Sequence, residues 1–338
     1  MRNSHKKGAN STLQSTAPRL GSKQNPFNAD NQIDNFAQVN HIKVTQNQQG
    51  QRLDNFLLAR LKGLPKSHLY KLIRADEVRV NNKRCKPHDK LFEGDIIRLA
   101  PVKIASRKKP VVSQAFANSL LDRIIYEDEG LLVLNKPSGM AVHGGSGENF
   151  GVIEAMRAAT GKNYLELVHR IDKDTSGLLM ISKKRSTLKK LQQHLRDKTI
   201  QKYYFCLVKG HVVMDTQLID APLLRYNLPS GERRVKVDGT KDQSKLSQTD
   251  ITVQKRFVFN KQKVSLVQAM PKTGRTHQIR VHMGHIGHPL LGDDKYNRQD
   301  TSGVRRLCLH AYKLQIPDYP TIIAPMPADM DELILNGA

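Results

Sequence analysis

The sequence predicts two folded units: a small helix–helix–hairpin unit, then a larger α+β domain on a mixed, largely antiparallel sheet. Three observations predict this. The 338 residues suffice for about two domains at ~100–200 residues each. Apolar residues recur at helical spacing from 53 to 73 and then give way to a short hairpin-like pattern. Beyond residue 120, strand-sized apolar runs mix with amphipathic stretches without strict βαβ alternation.

The first forty-five residues are rich in Asn, Gln, Ser, Lys and Gly and read as a disordered polar arm. They hold no apolar signal region and no amphipathic arginine pattern, so neither secretion nor organelle import is expected. Leu53, Leu57, Leu58 and Leu61 then mark one helix, and Leu69, Leu72 and Ile73 a second after Gly63-Leu64-Pro65. Val78-Arg79-Val80 and Lys83-Arg84-Cys85 flank Asn81-Asn82 as a hairpin around a two-residue turn, and Phe92 to Leu99 reads as a closing strand. Ser106 to Pro110 opens a basic linker, placed at 106–118. After it, strands are predicted at 124–126, 131–134, 178–181, 203–208, 251–259, 264–270 and 307–316, and helices at 153–159, 186–196 and 276–286.

Composition narrows the function. Lys+Arg 55 against Asp+Glu 31 gives a net charge of +24, a field that makes nucleic acid the default partner. No apolar run approaches the ~18 residues of a membrane span. Cys85, Cys206 and Cys308 are odd in number and lack C-x-x-C spacing, which fits a reducing, cytoplasmic setting better than a disulfide framework or zinc finger. Residues 51–110 carry 16 Lys+Arg and 6 Asp+Glu, whereas the far longer 111–338 carries 33 and 23. Lys66, Lys71, Arg74, Arg79, Lys83, Arg84 and Lys86 fall together on the second helix and the hairpin, as a phosphate-tracking surface requires. A solvated helix face is the bland alternative. Residues 50–105 resemble an S4 RNA-binding domain, whose second helix and hairpin loop face RNA.

In the larger domain, His169-Arg170-Ile171-Asp172-Lys173-Asp174-Thr175-Ser176-Gly177 lies between two apolar segments, where a sheet edge presents polar side chains. Alone, such a loop also reads as turns that satisfy their own backbone. The segment, however, is similar to the signature of the pseudouridine synthases of the RluA, RluC and RluD group. Leu134-Asn135-Lys136-Pro137-Ser138-Gly139, Gln201-Lys202-Tyr203-Tyr204 and Thr273 to His282 match that family's other motifs in order. With the S4-like part, the resemblance covers about residues 50–330, the catalytic domain spanning 119–338. Val142 to Gly147 is most similar to the RluC-type subgroup acting on large-subunit (23S) ribosomal RNA. Ile171 replaces the usual Leu, and Asn297 stands where Gly is common; Asn tolerates positive φ.

The resemblance implies isomerisation of uridine to pseudouridine: the N1–C1′ bond breaks, the base turns over, and C5 bonds to C1′. A retaining glycosidase needs two carboxylates, but uracil leaves as a delocalised anion and one can suffice. The family position of that carboxylate is Asp172, which would either attack C1′ or remove a C2′ proton. It must be ionised, which a basic neighbour favours; the motif match makes Arg280 that neighbour, a phosphate clamp being its alternative. Asp174 reads as a turn residue. Tyr204 matches the family tyrosine, suited to stacking on a flipped uracil, and shares a strand face with Cys206 and Val208. Arg170 matches the residue that fills the gap left by the flipped base. His169, Arg275 and His277 are candidate RNA contacts; Thr175, Ser176 and Gly177 hold the loop, and Lys136 and Pro137 support the pocket wall.

No cofactor is implied, since the reaction has no redox change, and the expected partner is ribosomal RNA, met by a monomer. His277, His282, His285 and His288 suggest a metal hydrolase, but no Cys or HExxH accompanies them, so no metal is predicted. The other alternative is a non-enzymatic S4-type RNA-binding or ribosome-assembly protein.

Overall fold

A computed structural model describes residues 36–61, 63–103, 112–145, 148–240 and 242–337, the Asn47 side chain excepted. The chain divides into two compact units, 1–107 and 108–338.

The first unit contains β1 (Asn40–Lys43), α1 (Leu53–Arg60), α2 (Lys66–Arg74), β2 (Val78–Val80), β3 (Lys83–Arg84) and β4 (Ile96–Leu99). Its strands form an antiparallel sheet in the order β1-β4-β2-β3. Asn81 and Asn82 both take positive φ, 50° and 61°, as a two-residue hairpin turn demands. Leu53, Phe56, Leu57, Leu69 and Ile73 pack against Val78, Ile97 and Leu99 in one core. Asp54 is fully buried at the start of α1, accepting from Arg52 at 2.6 Å and from the Tyr70 hydroxyl at 2.7 Å. The Arg52 hydrogen bond holds its carboxyl well below the usual carboxylate range.

Two boundaries need correction. The polar arm does not reach residue 45, because Asn40–Lys43 is an edge strand on β4 and Ile42 and Val44 enter the core; residues 1–35 lie outside the described residues. Nor does the linker run to 118. Its first part, 106–111, lies outside the described residues, but Gln114–Ser119 forms α3, capped by Ser113 and anchored by buried Ala117 and Leu120. The closing strand is also shorter than predicted, since a turn at Gly94 delays it to Ile96.

The second unit continues with β5 (Ile124–Glu127), β6 (Leu131–Lys136), α4 (Val152–Thr160), β7 (Glu166–Leu167), β8 (Ser176–Ser182), α5 (Arg185–Arg196), β9 (Gln201–Lys209), β10 (Thr216–Asp220), β11 (Leu223–Asn227), β12 (Arg233–Val237), β13 (Gln248–Phe259), β14 (Gln262–Pro271), α6 (Gln278–His285), β15 (Leu309–Gln315), β16 (Ile322–Ile323) and α7 (Ala328–Leu335). Ten strands form one sheet along β10-β13-β14-β9-β15-β8-β6-β5, with β16 on β15 and β7 on β8; β11 and β12 make a separate hairpin. The β15–β8 pairing is parallel and the others are antiparallel, so the expected α+β class holds.

Strand β8 is buried along its whole length and splits its side chains between two layers. Leu179 and Ile181 pack with Val152, Ile153 and Met156 of α4, while Leu178 and Met180 pack with Leu188 and Leu191 of α5. A strand so enclosed is a rigid mount for the loop that precedes it. Gly177 joins the two: its φ is 107°, and a Cβ there would stand 2.2 Å from the Ala311 carbonyl oxygen of β15.

Candidate active site

The loop 168–175 enters β8 beside the C-terminal end of β6, where Lys136 pins it. The Lys136 ammonium is fully buried and donates to the carbonyls of Pro137, Met140 and Lys173, each at 2.8 Å. Burial pushes its pKa down to about 7, against the pull of Asp174 and Asp172. Three carbonyl acceptors nonetheless call for three N–H donors, which only the charged amine has. Ser138 adds a bond to the Asp174 carbonyl at 2.6 Å, and buried Ile171 packs into the α4 layer. Behind the loop, the Ser176 hydroxyl meets His310 Nδ1 at 2.9 Å and accepts from Arg306 at 2.8 Å.

Pinned in this way, the loop turns Asp172 into a cleft of about 930 Å³, which Arg170, Tyr204, His277 and Arg280 also line. Asp174 is not among the lining residues. Asp172 keeps 23% of its side chain exposed, with Arg280 Nη1 at 3.7 Å and His277 Nε2 at 3.8 Å. Both are close enough to act on its charge and too far to occupy it with a short hydrogen bond.

Arg280 is only 2% exposed on α6, and its direction is fixed from behind. Nε and Nη2 donate to the two carboxylate oxygens of Asp293 at 2.8 and 2.6 Å, leaving Nη1 for Asp172. Burial opposes the Arg280 charge, but the hydrogen bond and charge of Asp293 outweigh it and raise the guanidinium pKa. Asp293 is in turn kept below its ordinary value, against burial, by Arg280 and the N–H groups of Tyr296 and Lys295. Its turn depends on Gly292, where a Cβ would stand 1.9 Å from the Arg306 carbonyl oxygen.

His277 precedes α6 with φ 52°, a left-handed conformation that disfavours a side chain by about 1 kcal/mol. Tyr296 holds the ring, its hydroxyl 2.8 Å from Nδ1. Burial lowers the His277 pKa despite Asp172, so Arg280 rather than His277 supplies the fixed positive charge. Gln278 staples the preceding loop, accepting from Arg275 N–H at 3.0 Å and donating to the Gln248 carbonyl at 2.8 Å.

Tyr204 reaches the cleft from β9. Its face of the strand also carries Cys206 and Val208, while Phe205 and Leu207 join the opposite layer, the alternation expected from the sequence. Burial raises its phenol pKa, with Asp172 adding to the effect. Arg170 is exposed at the mouth, and Arg275 lies exposed along the wall. His169 is used inward: Nε2 accepts from the Met180 N–H at 3.1 Å, and burial pushes its pKa down to about 3. That bond ties its ring to the loop's frame.

Asp293, Tyr296 and Gln278 are positioning residues that sequence reasoning does not single out. Asn297, expected to tolerate positive φ, is not among the positive-φ residues, and its amide donates to the Leu290 carbonyl at 2.9 Å. His282 is a core residue between Thr249 and the Ala221 carbonyl, at 2.9 and 3.0 Å. On the smaller unit, Lys66, Lys71, Arg74, Lys83, Arg84 and Lys86 are exposed, whereas Arg79 is half-buried against Asp76.

The family of RNA pseudouridylate synthases matches residues 130–285, and the S4 domain matches residues 51–97. The chain is 47% identical over 286 residues to the ribosomal large subunit pseudouridine synthase C of Haemophilus influenzae, covering 82% of this chain and 87% of that protein. It is 47% identical over 306 residues to the protein of the same name from Escherichia coli strain K12, covering 87% and 94%. Among solved structures, the human protein RNA Pseudouridylate Synthase Domain Containing 1 aligns at a TM-score of 0.53 and 26% identity, over 64% of this chain and 87% of that chain. Human RNA Pseudouridylate Synthase Domain Containing 4 shares the fold, at a TM-score of 0.56 and 22% identity, over 66% and 95%.

Proposed function

The chain belongs to the RNA pseudouridylate synthase family, and we propose that it converts uridines of large-subunit ribosomal RNA to pseudouridine through Asp172. The observation that carries this reading is the convergence of Asp172, Arg280 and Tyr204 on one cleft, with Arg280 aimed by Asp293. A buried, pre-aimed cation stabilises charge without reorganising during the reaction. It keeps Asp172 anionic, able to attack C1′ or take the C2′ proton. The N1–C1′ electron pair leaves on uracil as a delocalised anion, the base turns, C5 bonds to C1′, and the C5 proton is lost while N1 regains one. Nothing is oxidised or reduced, so the side chains suffice. The apolar face of Tyr204 carries the flipped base, and Arg170 at the mouth fills the space it vacates. The exposed cations of the S4 unit and Arg275 hold phosphates. Relatives named ribosomal large subunit pseudouridine synthase C and the unpaired cysteine pattern favour a cytoplasmic enzyme, which we take to act as a monomer.

The test is pseudouridine-selective mapping of ribosomal RNA from cells lacking the protein, complemented with the native chain or with Asp172→Asn. Large-subunit sites should vanish and return only with the native chain. An unchanged map would overturn the ribosomal assignment. RNA binding by the native chain without pseudouridine on any RNA would leave the S4-type binder.

A further inference from the structure

Most basic groups along the cleft are already engaged. Arg280 is clamped by Asp293, Lys272 pairs with Asp250 at 3.0 Å, Arg196 donates to Gln193 at 3.1 Å, and Arg275 donates to the Leu246 carbonyl at 3.3 Å. Lys202 differs. It lines the same cleft, half-buried, and among the described residues no acceptor takes its ammonium. Burial holds its pKa below the ordinary lysine value, and its charge in turn bears on the neighbouring His169 ring. Strand alternation places Lys202 on the face of β9 that carries Tyr204, two residues or about 6.8 Å along the strand.

We propose that Lys202 is a phosphate seat, its ammonium taking the phosphodiester beside the uridine whose base rests on Tyr204. This rests on reading the cleft as a uridine pocket. A partly desolvated cation without an acceptor is unfavourable, and an anion completes it. A lysine head is a compact point charge, suited to a phosphate whose approach is set by other contacts. Holding the backbone there keeps the ribose in place while the detached base turns. The contact exists before and during the reaction alike, so it governs binding rather than the turnover of bound RNA.

The experiment uses the full chain and a synthetic fragment around a mapped uridine. Affinity is read by fluorescence anisotropy, with a neutral methylphosphonate replacing each flanking phosphate in turn beside a 2′-O-methyl ribose. The matching phosphodiester, also 2′-O-methylated, is the control. Single-turnover pseudouridine formation is followed on unmodified RNA. Lys202→Met should weaken binding about tenfold, the order of one charge-assisted hydrogen bond, and leave the rate at saturating RNA within about twofold. One methylphosphonate should cost the native chain a similar factor and cost Lys202→Met nothing more. Lys202→Arg should recover most of the affinity, and matching melting curves would show the variants are folded.

Equal methylphosphonate effects in the native chain and Lys202→Met would overturn the seat. So would a slower saturated rate with unchanged affinity, which would make Lys202 a prop for the 168–175 loop. A native chain whose binding senses the methylphosphonate through Lys202 but which forms no pseudouridine would instead overturn the functional reading and leave the seat standing.

Discussion

Two arginine–aspartate pairs show how the two units use the same residue types. In the smaller unit, Arg79 is 43% exposed and its partner Asp76 21%, and Asp76 also holds Arg84 at 3.7 Å. In the larger unit, Arg280 is 2% exposed and Asp293 is fully buried. A pair in high dielectric contributes about 0–1 kcal/mol and leaves its cations free to exchange an aspartate for a phosphate. The buried pair has no water to fall back on, and its bidentate geometry fixes where the third guanidinium nitrogen points. Burial therefore converts a sticky charge into a directional one. The sharpest way to break this contrast is to remove each aspartate. Asp293→Ala strands Arg280 and should destabilise the larger unit by about 3–5 kcal/mol, whereas Asp76→Asn, which suits the positive φ of 63° at that position, should change the smaller unit by less than about 1 kcal/mol. Urea denaturation with a probe in each unit reads both; similar destabilisation in the two would erase the distinction.

The next effect sharpens the comparison from the neutral side. His310 is fully buried on β15, and burial, helped by Arg306, pushes its pKa down to about 4. The folded state thus binds the proton less readily than the unfolded chain, whose histidine titrates near 6.5. As pH falls below about 6.5 the unfolded state protonates first, so stability is full above that value and is lost progressively toward pH 4. The loss should reach up to about 3 kcal/mol at pH 4. Denaturation between pH 7.5 and 4.5 should show it, and His310→Gln, which keeps a polar partner for Ser176, should make the profile shallower by the His310 share, the share of buried His169 remaining. An unchanged slope in that variant would show that burial does not govern His310.

This contrast also explains what the sequence disclosed. Local patterns were readable: the apolar run of β8 after a polar loop, the alternation that sends Tyr204 and Phe205 to opposite faces, and the Asn81-Asn82 turn. The hairpin β11–β12 escapes sequence reading because Arg233, Arg234 and Lys236 give it the look of a solvated charge run, although Val235 is buried. Strand β1 is hidden in an Asn- and Gln-rich stretch with only Ile42 and Val44 to mark it. At the site, motifs identify Asp172, Arg280 and Tyr204, but not the group that aims Arg280. Asp293 lies thirteen residues beyond it, and the two meet only through the turn that Gly292 permits. Contacts made by tertiary folding carry no periodic signal.

The smallest effect tests the exposed side alone. Lys71 and Arg74 occupy the last turn of α2 and are exposed, without the aspartate that restrains Arg79. Replacing both with glutamine should weaken RNA binding at low salt and flatten the log–log salt dependence by about 0.7–0.9 for each phosphate no longer neutralised. The native and variant curves should converge as salt rises, because the missing contribution is counterion release rather than a fixed geometry. At saturating RNA the rate should stay the same, since neither residue lies in the cleft. Replacing Arg79 should flatten the slope less, because its guanidinium already has Asp76 to leave before it can take a phosphate. If instead the double variant bound more weakly by the same factor at all salt concentrations, the small unit would be reading RNA through fixed geometry like that of the cleft, and the division between an exposed field and a buried, aimed charge would fail on its own ground.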